Sequence, residues 1–372
     1  MKLQIGILEA PSKYGSFVKI AVLALTLGVS AGFVAGVQSQ GRLSPEAASA
    51  TEAGFVYTAN ERANSISVID LGAGKVTAVL IDISPHNVQA SPGGKILVVG
   101  MPAGVHGHAP GAGQHGEVVA GRGRLLVLDS KVPGSEGLVD IEVGRAPAHV
   151  VVDGQGRFAF VTNAQDNNVS VVEVKEARVV GTIATGASPH GLRISPDGSE
   201  VYVANTGDNS VSVIDVAARR EVTRVPVGKA PAQVGFTPDG RRVYVSSTVE
   251  NSVTVIDTAQ RKAISTVNVG RKPIQVYATP DGRFVYVANE GTSENPDNRT
   301  SVIDATTNQV VATVETGKGA HGVVVSDDGS RAFIANAVDN TVSVIDTATQ
   351  KVIRTFKVGE GSGGITFRSV DG

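Results

Sequence analysis

From Gly54 to its C-terminus the chain repeats itself, and the period constrains the fold more than any other feature of the sequence. The unit is clearest in PHGLRISPDGSEVYVANTGDNSVSVIDVAARREVTRVPVGKA, which starts at Pro189. The next two copies follow at intervals of 42 residues, so that Gly198, Gly240 and Gly282 close equivalent turns. Each unit holds four runs rich in β-branched residues: A (HGLRIS), B (VYVAN), C (SVSVID) and D (EVTRVPV). Such runs suit strands, because branched side chains pack well on a pleated surface. The A-to-B link is PDG, in which Pro presets the first φ of the turn and Gly supplies a positive one. Four antiparallel strands in a unit of this length form a propeller blade rather than a helical solenoid repeat.

Strand C counts the blades. It ends at Asp70, Asp129, Asp215, Asp257, Asp304 and Asp346, with VSVVEV around Glu173 as the remaining copy, making seven. The first set begins at Phe55 with no strand A before it, while GGITFRS from Gly363 is a strand A with no partners. Pairing the two ends resolves both irregularities, since closure removes the sheet edges that an open array would expose. The expectation is an all-β, seven-bladed β-propeller of four-stranded antiparallel blades, closed by the C-terminal strand on the N-terminal blade.

The propeller accounts for residues 54–372. Ahead of it, Lys2, Lys13 and Lys19 precede the run IAVLALTLGVSAGFVAGV (20–37), which carries no charge. About 20 apolar residues span a bilayer, so residues 1–37 read as a signal peptide or an N-terminal membrane anchor and 38–53 as a linker. Basic residues on the N-terminal side place the propeller outside the cytoplasm, in the periplasm or at the cell surface, with membrane contact only through this segment. The formal net charge is -2 and no Lys/Arg cluster occurs, so nucleic acid is not an expected partner. With no Cys, disulfides, thiolate metal sites and covalent CxxCH haem attachment are excluded, and any metal must be held by His, carboxylate, amide or backbone oxygen.

FVTN ending at Asn163, VYVAN at Val201 and Val285, and the recurrent DNSVSVID resemble the YVTN-repeat propellers. That group is similar to surface-layer propellers and to the haem-d1 domain of cytochrome cd1 nitrite reductase. The resemblance covers 54–372 and implies the fold; it is weakly informative about function, because one propeller scaffold hosts many activities. Lacking a CxxCH segment, the chain is not expected to convert nitrite by itself. Two other motif matches carry no chemistry. GVSAG at Gly28 lies inside the apolar leader, and GAGQHG at Gly111 and GKGAHG at Gly317 open no helix in a βαβ unit. The Asp ending strand C recurs in six of seven blades and reads as a turn-former.

The histidines have more to say. Strand A starts on one face of the ring, here called the top, where the B-to-C and D-to-A connections also lie. His86, His190 and His321 share one repeat position at the start of strand A in blades 2, 4 and 7. His149 of blade 3 sits one position later, where blades 5 and 6 carry Gln233 and Gln275, the polar ring of the channel mouth. His106, His108 and His115 fall in a Gly-rich insertion, 102–123, in the B-to-C connection of blade 2. All seven histidines thus map to the top, with His86, His149 and His190 in an arc over adjacent blades. Neutral imidazoles favour a transition metal such as copper over Mg or Ca, whereas polar residues at a channel mouth also serve simply to bond backbone or water. Three readings stay open: a scaffold binding a protein or small molecule at the top face, where 102–123 and 291–298 are insertions; a metal-dependent or haem-d1-related oxidoreductase or cofactor-handling protein; and a lactonase-like hydrolase.

Overall fold

The computed structural model describes residues 54–104, 121–130 and 138–370; the leader, the linker and most of the Gly-rich insertion lie outside them. Every run read as a strand within that range is one, and the strands form seven four-stranded sheets. In blade 4, A is Pro189–Ile194, B is Glu200–Asn205, C is Ser210–Asp215 and D is Arg220–Pro226, paired in that order. The turn chemistry behaves as its residues require. Gly198, Gly240 and Gly282 take φ of 74°, 70° and 70° in the A-to-B turns. Asn167, Asn209, Asn251 and Asn340 occupy the left-handed region in the B-to-C turns, which asparagine tolerates best among residues with a Cβ. The Asp ending strand C caps the next turn: Asp215 accepts the Ala218 N–H at 2.7 Å, and Asp70, Asp257 and Asp346 each accept the N–H three residues on.

Blades pack face to face. Seven hydrophobic clusters each straddle one pair of neighbouring blades, as where Leu97, Leu125 and Ile141 of blade 2 meet Val150 and Val161 of blade 3. The YVTN-type asparagine adds a polar lock at most junctions. Buried Asn205 donates through Nδ2 to Ser210 and Ser212 of strand C, at 3.0 and 2.8 Å. Against that same amide lies Gly186, which follows strand D of the preceding blade, and a Cβ there would come within 2.5 Å of Nδ2. Gly359 meets Asn60 in the same way, across the closure of the ring. These contacts explain why a glycine follows strand D and an asparagine ends strand B.

Closure is achieved as the sequence implies. The C-terminal strand Ser362–Ser369 is the innermost strand of blade 1 and pairs antiparallel with Gly54–Asn60, Val56 opposite Phe367 and Thr58 opposite Ile365. One expectation is corrected. Residues 291–298 are largely an extension of a hairpin rather than a loop insertion. Strand B of blade 6 runs Phe284–Gly291 and strand C runs Pro296–Asp304, with Gly291 opposite Pro296, because the positive φ of Gly291 lets the ladder continue past the usual turn. No helix among the described residues is long and apolar enough to cross a membrane; the run at 20–37 is outside them.

Two stability measurements check this account. Truncation after Gly361 removes Ile365 and Phe367 from the junction of blades 7 and 1. At about 1.5–3 kcal/mol for each side chain and about 2–4 °C per kcal/mol, the melting temperature should fall by about 6–24 °C. A fall below about 2 °C would show that closure does not hold the ring together. In the second, Gly359→Ala should cost about 1–3 kcal/mol by overpacking Asn60, while Gly181→Ala, whose Cβ would meet nothing within 4 Å, should stay within about 0.5 kcal/mol of the parent in urea unfolding.

Candidate functional site

The inner strand of a blade is hydrogen-bonded to strand B on one edge, so its other edge presents backbone groups that need partners. Near its start the strand also bulges. In blades 3 to 6 the A–B register slips between the initial proline and the residue three on, as between Pro147 and Val150 and between Pro189 and Leu192. Two consecutive residues escape the ladder there, and the one-position offset between His149 and His190 no longer separates them. The donor nitrogens of His86, His149 and His190 all lie within 4.8 Å of one another. His86 Nε2 is 3.3 Å from His190 Nε2, and the three ring centres are 4.8–5.5 Å apart.

Neighbouring groups fix the protons. His190 Nδ1 lies 2.9 Å from the Ala232 carbonyl, which can only accept, so the His190 proton is on Nδ1 and its Nε2 carries a lone pair. His86 therefore donates through Nε2 to His190, and its Nδ1 faces Glu61 Oε2 at 3.6 Å. Gln233 Oε1 accepts the Val234 N–H at 2.9 Å, which turns its amide NH₂ toward His149 Nδ1 at 3.3 Å. His149 consequently keeps its proton on Nε2, and that atom, in a side chain 2% exposed, has no hydrogen-bond partner among the described residues. Burial, with His190, His86 and Arg193 as neighbours, drives the pKa of His149 well below the usual imidazole range, so it is neutral.

The other predicted residues divide. His321 stands beside the trio, its ring centre 6.4 Å from that of His86, and is tied through Nδ1 to Glu290 Oε1 at 2.8 Å. The second Glu290 oxygen receives Lys272 Nζ at 2.8 Å. Burial opposes ionisation of Glu290, but His321 and Lys272 overcome it and hold its pKa at about 2. Gln275 Oε1 accepts the Val323 N–H of the next inner strand at 3.2 Å, as Asn87 Oδ1 does for Val150. His106, His108 and His115 lie outside the described residues. Glu61 and Glu290 were not anticipated, yet a signal for them exists. Each directly follows the asparagine that ends strand B, in TANE and VANE, and each comes one blade before a histidine at the start of strand A.

Two family models match parts of the chain: a YNCE-like beta-propeller over residues 138–283 and the cytochrome D1 heme domain over 247–363. The chain is similar to both. This agrees with the YVTN-type resemblance, and the second match includes His321 but none of the trio. Among solved structures, hydrazine synthase of Kuenenia stuttgartiensis is 18% identical with a TM-score of 0.63, covering 78% of this chain and 97% of that one. A functionally unknown protein from Desulfotomaculum acetoxidans is 16% identical with a TM-score of 0.70, covering 85% and 99%. None of the curated proteins compared matches the chain. At these identities the likeness extends to the fold.

Burial of His149 has a pH signature. Its folded pKa is depressed, so the unfolded chain takes up the proton first, and stability falls as the pH drops below about 6.5, by up to about 1.4 kcal/mol per unit. His149→Gln, which copies blades 5 and 6, should remove that part of the slope between about pH 6.5 and 5. Urea unfolding from pH 5 to 8 measures it; an identical slope in the variant would mean that His149 is not held neutral.

Proposed function

We propose that this protein is an exported binding propeller whose top face holds a divalent transition metal, with copper the best match, and presents it to a small molecule or protein docked there. The convergence of the His86, His149 and His190 donor nitrogens within 4.8 Å carries the reading. Metal–imidazole bonds of about 2.0–2.1 Å at tetrahedral angles put ligand nitrogens about 3.3–3.4 Å apart, and the His86–His190 separation is 3.3 Å. Two of the three also have the outer partner that metal-bound imidazoles use to orient the ring, the Ala232 carbonyl behind His190 and the Glu61 carboxylate behind His86. The unsatisfied Nε2 of His149 gains a partner in the ion.

Loading requires proton movement. Nε2 of His86 and of His149 must give up its hydrogen, which reappears on Nδ1. For His86 that proton then faces Glu61. For His149 it requires Gln233 to turn its amide oxygen inward, releasing the Val234 N–H. Three protein ligands leave a coordination position open, which is what binding an exogenous ligand needs. Among divalent ions at nitrogen sites the affinity order peaks at copper. Export rests on the apolar segment at 20–37.

A haem-d1-related role is the second reading, favoured by the match over 247–363 and by the carboxylate-backed His321 within it. A haem would supply redox chemistry at iron, with His321 the imidazole available to hold it. The trio fits an ion better, since rings packed 4.8–5.5 Å apart would have to separate to admit a macrocycle.

Metal content after dialysis against Cu²⁺, with any affinity tag removed, tests the proposal. The wild type should retain about one equivalent, lost in both His149→Ala and His190→Ala, kept when 102–123 is deleted, and released as the pH falls through about 6.5. A metal-free wild type, or metal lost only with the deletion, would overturn it.

A further inference from the structure

Three residues beyond the histidine level, about 10 Å along the inner strand, the inward repeat position is filled in order by Gln89, Val151, Arg193, Gly235, Tyr277, Val324 and Thr366. One of the seven is charged and none is an acid. A cavity of about 320 Å³ opens there, toward the end of the channel remote from the histidines, with the prolines of three A-to-B turns on its rim. Arg193 lies in its wall and donates to Gln89 Oε1 at 3.3 Å. Its guanidinium carbon lies 5.1 Å from the ring centre of Tyr277, two blades on. Among the described residues no carboxylate pairs with it. Arg124 and Arg331, also enclosed, are paired, the first with Asp82 and Asp140 and the second with Asp346.

An enclosed guanidinium without a counter-ion is costly, and an amide plus an aromatic face offset only part of that cost. Burial lowers the pKa of Arg193 from its ordinary value, yet a guanidinium starts so high that it stays cationic. The remaining walls, including Ile194 and Phe236, are apolar apart from Thr237.

We propose that this cavity binds a small organic carboxylate with a compact apolar body, its carboxylate on the Arg193 guanidinium and its body against Ile194 and Phe236. A single positive charge matches a monoanion; a phosphate dianion would need a second cation that the wall does not provide. The volume is near the lower limit of ligand pockets, about 300 Å³, which restricts the occupant to small molecules. No histidine lines this cavity, and the proposal stands or falls separately from the metal site.

Benzoate is a suitable probe, with benzamide as its neutral counterpart, in calorimetric or NMR titration of the full chain. Saturable benzoate binding is expected, with benzamide weaker by about 10-fold or more, matching the loss of a charge-assisted hydrogen bond. Arg193→Gln should weaken benzoate by about the same factor, while a change at the exposed Val249, Val249→Thr, leaves it unchanged. If Arg193→Gln does not fold, Tyr277→Leu removes the ring that positions the guanidinium and should still weaken binding several-fold. No saturable binding to the wild type, equal affinity for benzamide, or undiminished binding in every folded variant would overturn the proposal.

Discussion

The innermost strand of every blade has a backbone partner on one edge only, and most features of the channel follow from supplying the other edge. A buried N–H or C=O without a partner costs as much as a lost hydrogen bond, so polar side chains gather where the inner strands begin. Asn87 accepts from Val150, Gln275 from Val323 and Gln233 from its own neighbour Val234, while His190 donates to Ala232. Part of the polar ring at the mouth is therefore structural. It holds adjacent inner strands at a fixed spacing, and that spacing persists around the whole ring because the C-terminal strand completes blade 1.

What is left after this accounting stands out for the same reason. His149 spends one ring nitrogen on Gln233 and has none of the described groups for the other, although it is among the most buried polar residues of the chain. Arg193, lower in the channel, carries a charge that no described acid balances. Other buried polar atoms of the described residues also lack a partner, Tyr202 Oη and Thr300 Oγ1 among them, so it is their common place in the channel that sets these two apart. They differ in chemistry: the upper one converges imidazoles from three strands, and the lower one offers a single cation on a largely apolar wall.

The lower level also bears electrostatically on the upper one. The Arg193 charge contributes to keeping His149 neutral, along with burial and the other two rings. A neutral imidazole is the form that ligates a metal, so the lower cation favours the state that the proposed metal site would require. The Glu290 carboxylate, held ionised between Lys272 and His321, keeps a negative charge beside the mouth without taking any of the three central rings.

Blade number, strand order, turn conformations and closure were legible in the sequence, because each depends on chemistry local to one repeat: PDG glycines, left-handed asparagines, aspartates that cap the next turn. The placement of four histidines at the top followed from the same periodicity. Which of them meet did not, since that contact joins residues 41 to 104 positions apart through bulges that a repeat alignment does not display. Nor did the extended hairpin at 291–298, where a positive φ at Gly291 lets pairing continue, or the reach of Arg193 from blade 4 to Tyr277 in blade 6, which needs three blades in place at once. The carboxylates behind His86 and His321 lie between these extremes. Their dipeptide is visible in the chain, but its meaning arises only when one blade's B-to-C turn packs on the next blade's inner strand. The sequence by itself determined the repeat and the ring; the tertiary structure decided the chemistry of the channel, because that chemistry is made of contacts between blades, and the period of a repeat reports only contacts within one.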